Sequence, residues 1–557
     1  WASCKFTVTR DINLTAKMQK ETSSYRINDD IKGVATIENK KEKNRLNLLV
    51  EVEDSWKRIV FRQQKEVDIN PGKNEIPIDI DKSKILDIYH DMAISLIDSA
   101  GNVISKDRCI FFVYPERMPL YDDFYLACWG NLEPNPLKII IAGNKLKEAG
   151  IDYVYSYGEG KSERYVAYKT HHLLMGPPFS CSLKGGYSGN RKADTKNLTY
   201  DPPLVPSEEE LKQFKDRMSK LAKGYSEWGG VDYIHLDDER DMQGDFDWSA
   251  RTVEKFRQWL KDMYGTIEKL NAQWDTHYRD WNEVMPVRLN EIQDKNNLSQ
   301  YLDWRTFIGW AICEYYYKAP AEAAKQGNPK AVVGQHGVYQ TGLTIPHDFW
   351  EISKYTPVTG RYNGMIEEWF SSFGVISGQY GGYGVEQATP GHRYHPWRSL
   401  LHGGHWAFYY ILWNSGTHHQ GILSPDQSVH GGYKDLAKDE FADIKNGIGK
   451  LFIESTFSSD GICFPYSYAS ILASQTLGMS RTGNIYSQKT LIQNLGYQHR
   501  FLSYQQIKEG QLVKKNFKVL ILPGTICLSP EEVTAIKEFV RNGGTVIADY
   551  QPGARDE

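Results

Sequence analysis

The organisation of the chain is best worked out from one stretch, Val231-Asp232-Tyr233-Ile234-His235-Leu236-Asp237-Asp238-Glu239-Arg240. It begins as a short apolar run, typical of a buried strand, and ends in three carboxylates. Parallel strands of a barrel bring the residues at their carboxyl ends to one rim, where barrel enzymes hold their catalytic groups. The stretch therefore predicts a strand that ends at a functional site. The alternative interpretation is an exposed acidic loop that follows a strand.

The sequence around this stretch alternates between strand and helix patterns from about Tyr121 onwards. Apolar runs bounded by turn residues predict the strands, and periodic apolar positions such as Val253, Phe256, Leu260 and Met263 predict the helices. Eight strands in such a series predict a (β/α)8 TIM barrel over residues 119–458. The predicted strands are 124–130, 151–157, 172–176, the acidic strand 231–239, 331–334, 356–362, 374–378 and 406–413.

Two further regions flank the predicted barrel. Residues 1–118 contain short apolar runs separated by turns such as Asn70-Pro71-Gly72-Lys73, which predicts an accessory β-sandwich. Residues 459–557 predict a flavodoxin-like, doubly wound α/β domain. In that region Ser529-Pro530-Glu531-Glu532 has the pattern of a helix start, and strands are predicted at 517–523 and 545–549.

Composition excludes several classes of function. The 557 residues carry a net charge of −4 without a basic stripe, which argues against nucleic acid as a partner. No apolar run is long enough to span a membrane. The seven cysteines are scattered without CxxC spacing, and no nucleotide-binding glycine motif is present, so we expect neither a metal nor another cofactor. Aromatic residues make up 13% of the chain, and their flat faces suit sugar rings or an aromatic core.

The first four residues, Trp1-Ala2-Ser3-Cys4, resemble the end of a bacterial lipoprotein signal, with Cys4 as the lipidated residue. Trp1 departs from this pattern, since such signals usually have an aliphatic residue at that position. Because the small residues before Cys4 fit, we expect a secreted, periplasmic or surface-anchored lipoprotein of a bacterium.

The acidic strand and the sequence after it resemble a known family. His235-Leu-Asp-Asp-Glu239, followed by the segment Tyr264-Gly-Thr-Ile-Glu-Lys-Leu-Asn-Ala-Gln-Trp274, is similar to the fourth-strand region of family 42 β-galactosidases. Residues 396–413 are similar to the seventh helix and eighth strand of that family. The resemblance covers residues 121 to 557, and the amino-terminal sandwich is not part of the usual family layout. It implies a retaining barrel glycosidase that acts on carbohydrate, and it makes a homo-oligomer plausible.

By this resemblance Glu239 is the general acid/base. The family has asparagine before that glutamate, whereas this chain has Asp238. Because the asparagine contacts a hydroxyl beside the reacting carbon, Asp238 puts the usual sugar preference in doubt and becomes a candidate substrate contact.

The second catalytic carboxylate is expected at the end of strand seven, with the two carboxyl groups about 5 to 5.5 Å apart for retention. Gln379-Tyr380-Gly381 fits the expected pattern, but with an amide in place of the acid. Three interpretations remain open. Gln379 could replace a glutamate in an inactive variant. Glu386, or one of Glu367 and Glu368, could be the nucleophile on a differently placed loop, although the predicted helix 365–373 favours a surface position for Glu367 and Glu368. Lastly, the protein could be non-hydrolytic.

Other residues near the predicted strand ends are candidates for substrate binding, although each could equally be a core or rim residue: Trp129, Tyr157, His336, Tyr362, Tyr380 and Trp413. Four basic residues after strand seven could line a pocket for an acidic sugar, or lie on the outer face of a helix: Arg393, His395, His402 and His405.

The sequence thus predicts a retaining hydrolase of β-linked glycosides or of oligosaccharides derived from a polysaccharide. Two alternatives stay open, namely a polysaccharide lyase on a similar barrel and a non-catalytic carbohydrate-binding barrel. The lyase would use the basic residues after strand seven, and Gln379 favours the non-catalytic protein.

Overall fold

The fold is described from a computed structural model. The residues that it describes are 11–116, 121–130, 136–155, 167–171, 173–175, 192–194, 196–228, 233–238, 247–292, 297–338, 341–343, 346–362, 364–383, 385, 387–413, 421–479 and 481–556.

The amino-terminal strands form two sheets that face each other. A three-stranded sheet has the order β1-β3-β6, and a five-stranded sheet has the order β2-β8-β7-β4-β5. In β1 every second residue is buried, which is the pattern of a sheet with one face on a core. The strands are β1 Ile12–Met18, β2 Ser24–Arg26, β3 Ile31–Asn39, β4 Asn44–Asp54, β5 Ile59–Ile69, β6 Gly72–Ile80, β7 Tyr89–Ile97 and β8 Val103–Tyr114.

The central part of the chain forms an eight-stranded parallel sheet, and a short hairpin (β12 and β13) is inserted between its third and fourth strands. The sheet order is β11-β10-β9-β18-β17-β16-β15-β14, so the first and last strands of the series, β9 and β18, pair with each other. This is the neighbour order of a TIM-barrel-like fold. The strands are β9 Tyr125–Trp129, β10 Tyr153–Tyr155, β11 Leu173–Met175, β12 Lys192–Asp194, β13 Thr199–Asp201, β14 Ile234–Asp238, β15 Val333–Val338, β16 Val358–Arg361, β17 Ile376–Gly381 and β18 Trp406–Tyr410.

Large aromatic side chains fill the interior of this sheet. The ring of Tyr121 stacks on Trp406 with centroids 4.7 Å apart. Glycines make room for these rings: a Cβ on Gly378 would lie 2.0 Å from the Trp406 ring, and one on Gly360 would lie 2.2 Å from the ring of Tyr380. The interior is therefore a packed core, in which small residues on two strands accommodate large residues on their neighbours.

Helices cover the outside of the barrel. The predicted helix around Val253 spans Ala250–Tyr264 and buries Val253, Phe256 and Leu260, but Met263 is 48% exposed and the prediction is wrong for that residue. The α-helices between β9 and β19 are Pro136–Glu148, Glu208–Trp228, Ala250–Tyr264, Ile267–Trp274, Leu289–Ile292, Ser299–Ile312, Ala319–Gly327, Phe349–Ser353, Gly364–Phe373, Pro390–Leu401, Gly431–Lys438, Glu440–Asp443 and Gly449–Glu454.

The carboxy-terminal sheet is parallel and has the order β20-β19-β21-β22. Numbered along the chain within this sheet, the order is 2-1-3-4, as in flavodoxin-like folds. Its strands are β19 Ile462–Tyr466, β20 His499–Ser503, β21 Val519–Leu522 and β22 Thr545–Ala548. Its helices are Tyr468–Thr476, Arg481–Asn494, Tyr504–Lys508, Gln511–Lys514 and Pro530–Arg541.

Strands β19 to β21 of the carboxy-terminal sheet are buried on both faces, whereas the edge strand β22 is largely exposed. Phe464 and Phe501 pack into the same hydrophobic cluster as the outer helices of the barrel, whereas Cys463 and Leu502 belong to a separate cluster beneath the helix Pro530–Arg541. In the described part of the chain, no helix combines the length and the apolar character needed to cross a membrane.

Candidate active site

The carboxyl ends of the parallel strands meet at one rim of the barrel, and the acidic strand β14 ends there. Its register with β15 shifts near the end: His235 pairs with Gly334, whereas Asp238 pairs with His336. Three steps along β14 thus match two steps along β15, which is a β-bulge. A bulge changes the direction of the following side chains, so simple alternation does not assign the faces of Asp237 and Asp238.

The base of β14 is anchored in the core. The ring of Tyr233 lies in the barrel interior, and Ile234 and Leu236 pack on the outer helices. Burial lowers the pKa of His235 to about 3, so this histidine is neutral at physiological pH. The predicted site residues Glu239, Glu386 and Tyr157 lie outside the described residues. For Asp238 and His336 the structure describes the backbone, where they are cross-strand partners.

Three of the predicted substrate-binding aromatics lie in one cluster near the rim. Trp129 ends β9, Tyr362 follows β16 and Tyr380 lies near the end of β17, and all three belong to the cluster in the barrel interior. The Tyr380 ring is 5.4 Å from that of Tyr362 and 4.3 Å from that of Phe408. Phe408 also contacts Trp129, at 5.9 Å between centroids. These rings can form an apolar wall for a sugar.

Trp413 lies apart from these three aromatics. It is half-buried and packs against a different cluster, which lies between the barrel and its outer layer. Its backbone bridges to Leu423, beyond the end of β18. The structure therefore brings Trp129, Tyr362 and Tyr380 together and leaves Trp413 outside their cluster.

Gln379 is buried in β17, but its side chain points away from the barrel interior. Its neighbour Tyr380 faces the interior. Because successive side chains of a strand point to opposite faces, Gln379 faces the helices. Its cross-strand partner Ala407 packs in the cluster outside the barrel, in agreement with this direction. A carboxylate at this position would point towards the helical layer rather than the rim, which argues against the nucleophile position expected from the sequence.

Glu367 and Glu368 were expected on a helix surface, and this expectation is wrong. Glu367 is fully buried and forms an ion pair with Arg361, the last residue of β16. It also accepts a hydrogen bond from Ser399 at 3.2 Å. Burial raises the pKa of Glu367 and lowers the pKa of Arg361 to about 10. The pair lies on the helix-facing side of the sheet, so Glu367 is not placed to attack a sugar at the rim.

Glu368 connects the barrel to the carboxy-terminal domain. Its carboxylate binds His402 Nδ1 at 2.8 Å, Lys489 Nζ at 2.8 Å and His499 Nε2 at 3.0 Å. Burial alone would raise its pKa, but these donors and positive charges outweigh burial and hold the pKa of Glu368 well below its usual value. The carboxylate is therefore ionised and fully engaged.

Three of the four basic residues after strand seven, Arg393, His395 and His402, have partners outside the barrel mouth. Arg393 pairs with Asp439 at 3.0 Å and with Glu440 at 2.9 Å. His395 lies 3.3 Å from the carbonyl oxygen of Phe408, and burial lowers its pKa to about 4. Burial also lowers the pKa of His405 to about 4. Together with His402, which binds Glu368, these residues do not form a pocket for an acidic sugar.

Two tyrosines near the rim were missed by the sequence analysis. Tyr410 ends β18, and its ring is 5.5 Å from the ring of Tyr383, just after β17. Alternation along β18 could have identified Tyr410, since Trp406 and Phe408 already face the interior. No comparable pattern marked Tyr383. Among the described residues, no group of three or more acidic, histidine or cysteine side chains is arranged to hold a metal ion.

Comparison with known proteins supports the resemblance found in the sequence. The glycoside hydrolase family 42 model, described as beta-galactosidase, matches residues 189–360. A beta-galactosidase from Arthrobacter sp is 32% identical over 101 residues, which cover 17% of this chain and 14% of that protein. Beta-galactosidase BgaA from Planococcus sp. (strain 'SOS Orange') is 21% identical over 391 residues, or 63% of this chain and 56% of that protein.

The fold also agrees with a solved structure. The crystal structure of a beta-galactosidase from Bacillus circulans sp. alkalophilus aligns with a TM-score of 0.61 at 16% identity, covering 78% of this chain and 72% of that one. This chain is family 42-like.

The segment that matches the family 42 model contains the acidic end of β14 and ends before β17. It therefore includes Glu239, the predicted acid/base, but neither Gln379 nor Glu386. The chain spans 14% of the Arthrobacter relative and 56% of the Planococcus relative.

Proposed function

We propose that this protein is a retaining glycoside hydrolase in which Glu239 is the general acid/base and Glu386 is the nucleophile. The observation that carries the proposal is the acidic end of β14 at the rim of an eight-stranded parallel sheet, inside the segment that matches family 42. Catalytic residues of such barrels come from the carboxyl ends of several strands.

The assignment of the nucleophile rests on the scarcity of acids after β16. From Trp369 to Pro425 the sequence contains a single acidic residue, Glu386. Gln379 is an amide directed towards the helices, and Glu367 and Glu368 are bound in ion pairs outside the barrel interior. Among the candidates on or near strand seven, Glu386 alone combines a carboxylate with a position directly after that strand.

Described residues on both sides of Glu386 make defined contacts. The ring of Tyr383 packs against Tyr410 at the end of β18, whereas Val385 is buried in the cluster outside the barrel interior that also holds Ala407. The imidazole of His392 lies 2.9 Å from the carbonyl oxygen of Tyr383 and 3.2 Å from that of Gln387. The contact of Tyr383 with Tyr410, at the end of a neighbouring barrel strand, supports a nucleophile on the segment that follows β17.

The proposed reaction has two steps. Glu386 attacks the anomeric carbon while Glu239 donates a proton to the glycosidic oxygen, and the leaving group departs. Glu239 then acts as the base that activates water, which cleaves the bond between the sugar and Glu386 and retains the configuration. The described aromatic cluster of Trp129, Tyr362 and Tyr380 supplies an apolar wall on which a sugar ring can stack.

The relatives named beta-galactosidase make β-galactosides the first substrate class to test. Asp238 is proposed to accept a hydrogen bond from a hydroxyl beside the reacting carbon. Unlike an amide, a carboxylate at this position can only accept, so it favours a sugar that presents a hydroxyl donor there.

Three variants assayed on a panel of aryl glycosides test the proposal. We expect Glu239→Gln to lower kcat/KM by about 100- to 10,000-fold, because proton donation is lost. Glu386→Gln should lower it by at least a similar factor, because no glycosyl-enzyme bond can form.

The variant Gln379→Glu tests the alternative in which the nucleophile lies at position 379 rather than at Glu386. We expect it to leave activity on the panel within about tenfold of the starting protein or to destabilise the fold, because a buried charge would face the helices. Activity that appears only in Gln379→Glu would contradict the assignment of Glu386. Full activity in Glu239→Gln on the best substrate of the panel would contradict the assignment of the acid/base.

A further inference from the structure

A cavity separate from the barrel rim lies between the outer helices of the barrel and the carboxy-terminal domain. Its volume is about 690 Å³, a size typical of small-molecule sites. Helix Ser299–Ile312 contributes Asp303 and Trp310 to its wall, and the carboxy-terminal domain contributes Tyr504. We propose that this cavity binds an organic dication, such as a linear diamine or polyamine.

The charge of the wall favours a cation. The cavity is lined by six acidic side chains and by one lysine, Lys318. Lys318 is already paired with Glu314 at 2.9 Å, and Glu351 is paired with Lys354 at 2.6 Å. Asp303 and Asp348 add negative charge to this partly enclosed space, where charges interact more strongly than in water.

Two of the acids in the wall lack a positively charged partner within the described part of the chain. Asp303 accepts hydrogen bonds from the Tyr264 hydroxyl and the Trp274 indole, both at 2.6 Å. Asp348, which is 7% exposed, accepts from the Tyr504 hydroxyl at 2.8 Å and from the backbone N–H of Trp350 at 3.1 Å.

These donors are all neutral, whereas buried carboxylates are usually paired with a cation. Burial raises the pKa of both Asp303 and Asp348 to about 6, as expected for acids without a counter-charge.

Each of the two acids also has a negative charge nearby. The charge of Asp556 acts on Asp303, and the charge of Glu351 acts on Asp348. A ligand with two cationic groups would supply one counter-charge to each of the two acids. Aromatic side chains in the same wall, including Trp310 and Tyr355, offer faces for its methylene chain and for cation–π contact. A single metal ion fits less well, because no metal-binding group was found among the described residues.

Isothermal titration of the full chain with spermidine tests the proposal. We expect saturable binding, weakened at least tenfold in Asp303→Asn and in Asp348→Asn. Both substitutions keep the shape and an acceptor for the tyrosine hydroxyl. The matched control is Glu268→Gln, which removes an exposed acid that does not line the cavity. This control should bind spermidine like the starting protein.

A second measurement, the Tm with and without spermidine, distinguishes loss of binding from failure to fold. Spermidine should raise the Tm of the starting protein and of Glu268→Gln, because a ligand that binds the folded state stabilises it, and should raise the Tm of the two cavity variants less. Absence of saturable binding to the starting protein would overturn the proposal. So would equal binding by folded cavity variants, or displacement of spermidine by an equal concentration of lactose.

Discussion

At the scale of single residues, the direction of a side chain matters as much as its chemical type. Gln379 fits the sequence pattern of a nucleophile position, yet it shares the helix-facing side of the sheet with Ala407. Arg361, its cross-strand neighbour in β16, uses this same side to bind Glu367. The polar residue at the end of β16 therefore belongs to a structural ion pair with a helix residue, which the sequence pattern did not distinguish from catalytic groups.

The Arg361–Glu367 pair gives a prediction at this scale. Glu367→Gln should lower the free energy of unfolding by about 3–5 kcal/mol, because it leaves the fully buried guanidinium of Arg361 without its carboxylate. The measurement is the denaturant midpoint at pH 7.

The control for this prediction is Glu283→Gln. Glu283 pairs with Arg279 on the surface, where the arginine side chain is 88% exposed, so its loss should cost less than about 1 kcal/mol. Equal effects of the two substitutions would show that burial does not set the strength of the pair at Arg361.

At the scale of secondary structure elements, strand periodicity and helix caps were predictable because they depend on local sequence. Ser529 begins the helix Pro530–Arg541 through a capping box with Glu532, as its sequence pattern predicted. The bulge near the end of β14 was not predictable, since it arises from pairing with β15, a strand almost one hundred residues away. The burial of Glu368 was also not predictable from the sequence, because its partners Lys489 and His499 come from another region of the chain.

Glu368 gives a prediction for the contact between elements. Glu368→Gln should destabilise the protein by about 3–5 kcal/mol at pH 7, because Lys489 stays buried without its carboxylate. The folded-state pKa of Glu368 is depressed, so its contribution is fully present above the usual glutamate pKa and is lost as pH falls through the folded value. The difference in Tm between the two proteins should therefore be largest near pH 7 and become smaller as the pH is lowered towards 3. A difference in Tm that is independent of pH would contradict this account.

At the scale of the whole molecule, changes in periodicity along the sequence separate the strands of the different sheets. Strands β1 to β8, β9 to β18 and β19 to β22 each lie inside the range predicted for the sandwich, barrel and α/β regions. What sequence could not supply was the packing between regions. The helix Gly364–Phe373 contacts the carboxy-terminal domain through buried charges, and the cavity beside that domain is lined by residues more than two hundred positions apart. Such contacts depend on the three-dimensional arrangement rather than on local pattern.

The central claim, that Glu239 and Glu386 share a retaining reaction, is tested most directly by azide rescue with a 2,4-dinitrophenyl β-galactoside. In Glu239→Gly, azide should attack the glycosyl-enzyme from the face that water normally uses and give the β-glycosyl azide. In Glu386→Gly, azide should replace the nucleophile and give the α-glycosyl azide, because the opposite face of the sugar is then open. The account predicts these two products from these two variants, identified by NMR. The opposite pairing of variants and products, or full activity of Glu386→Gly without azide, would contradict it.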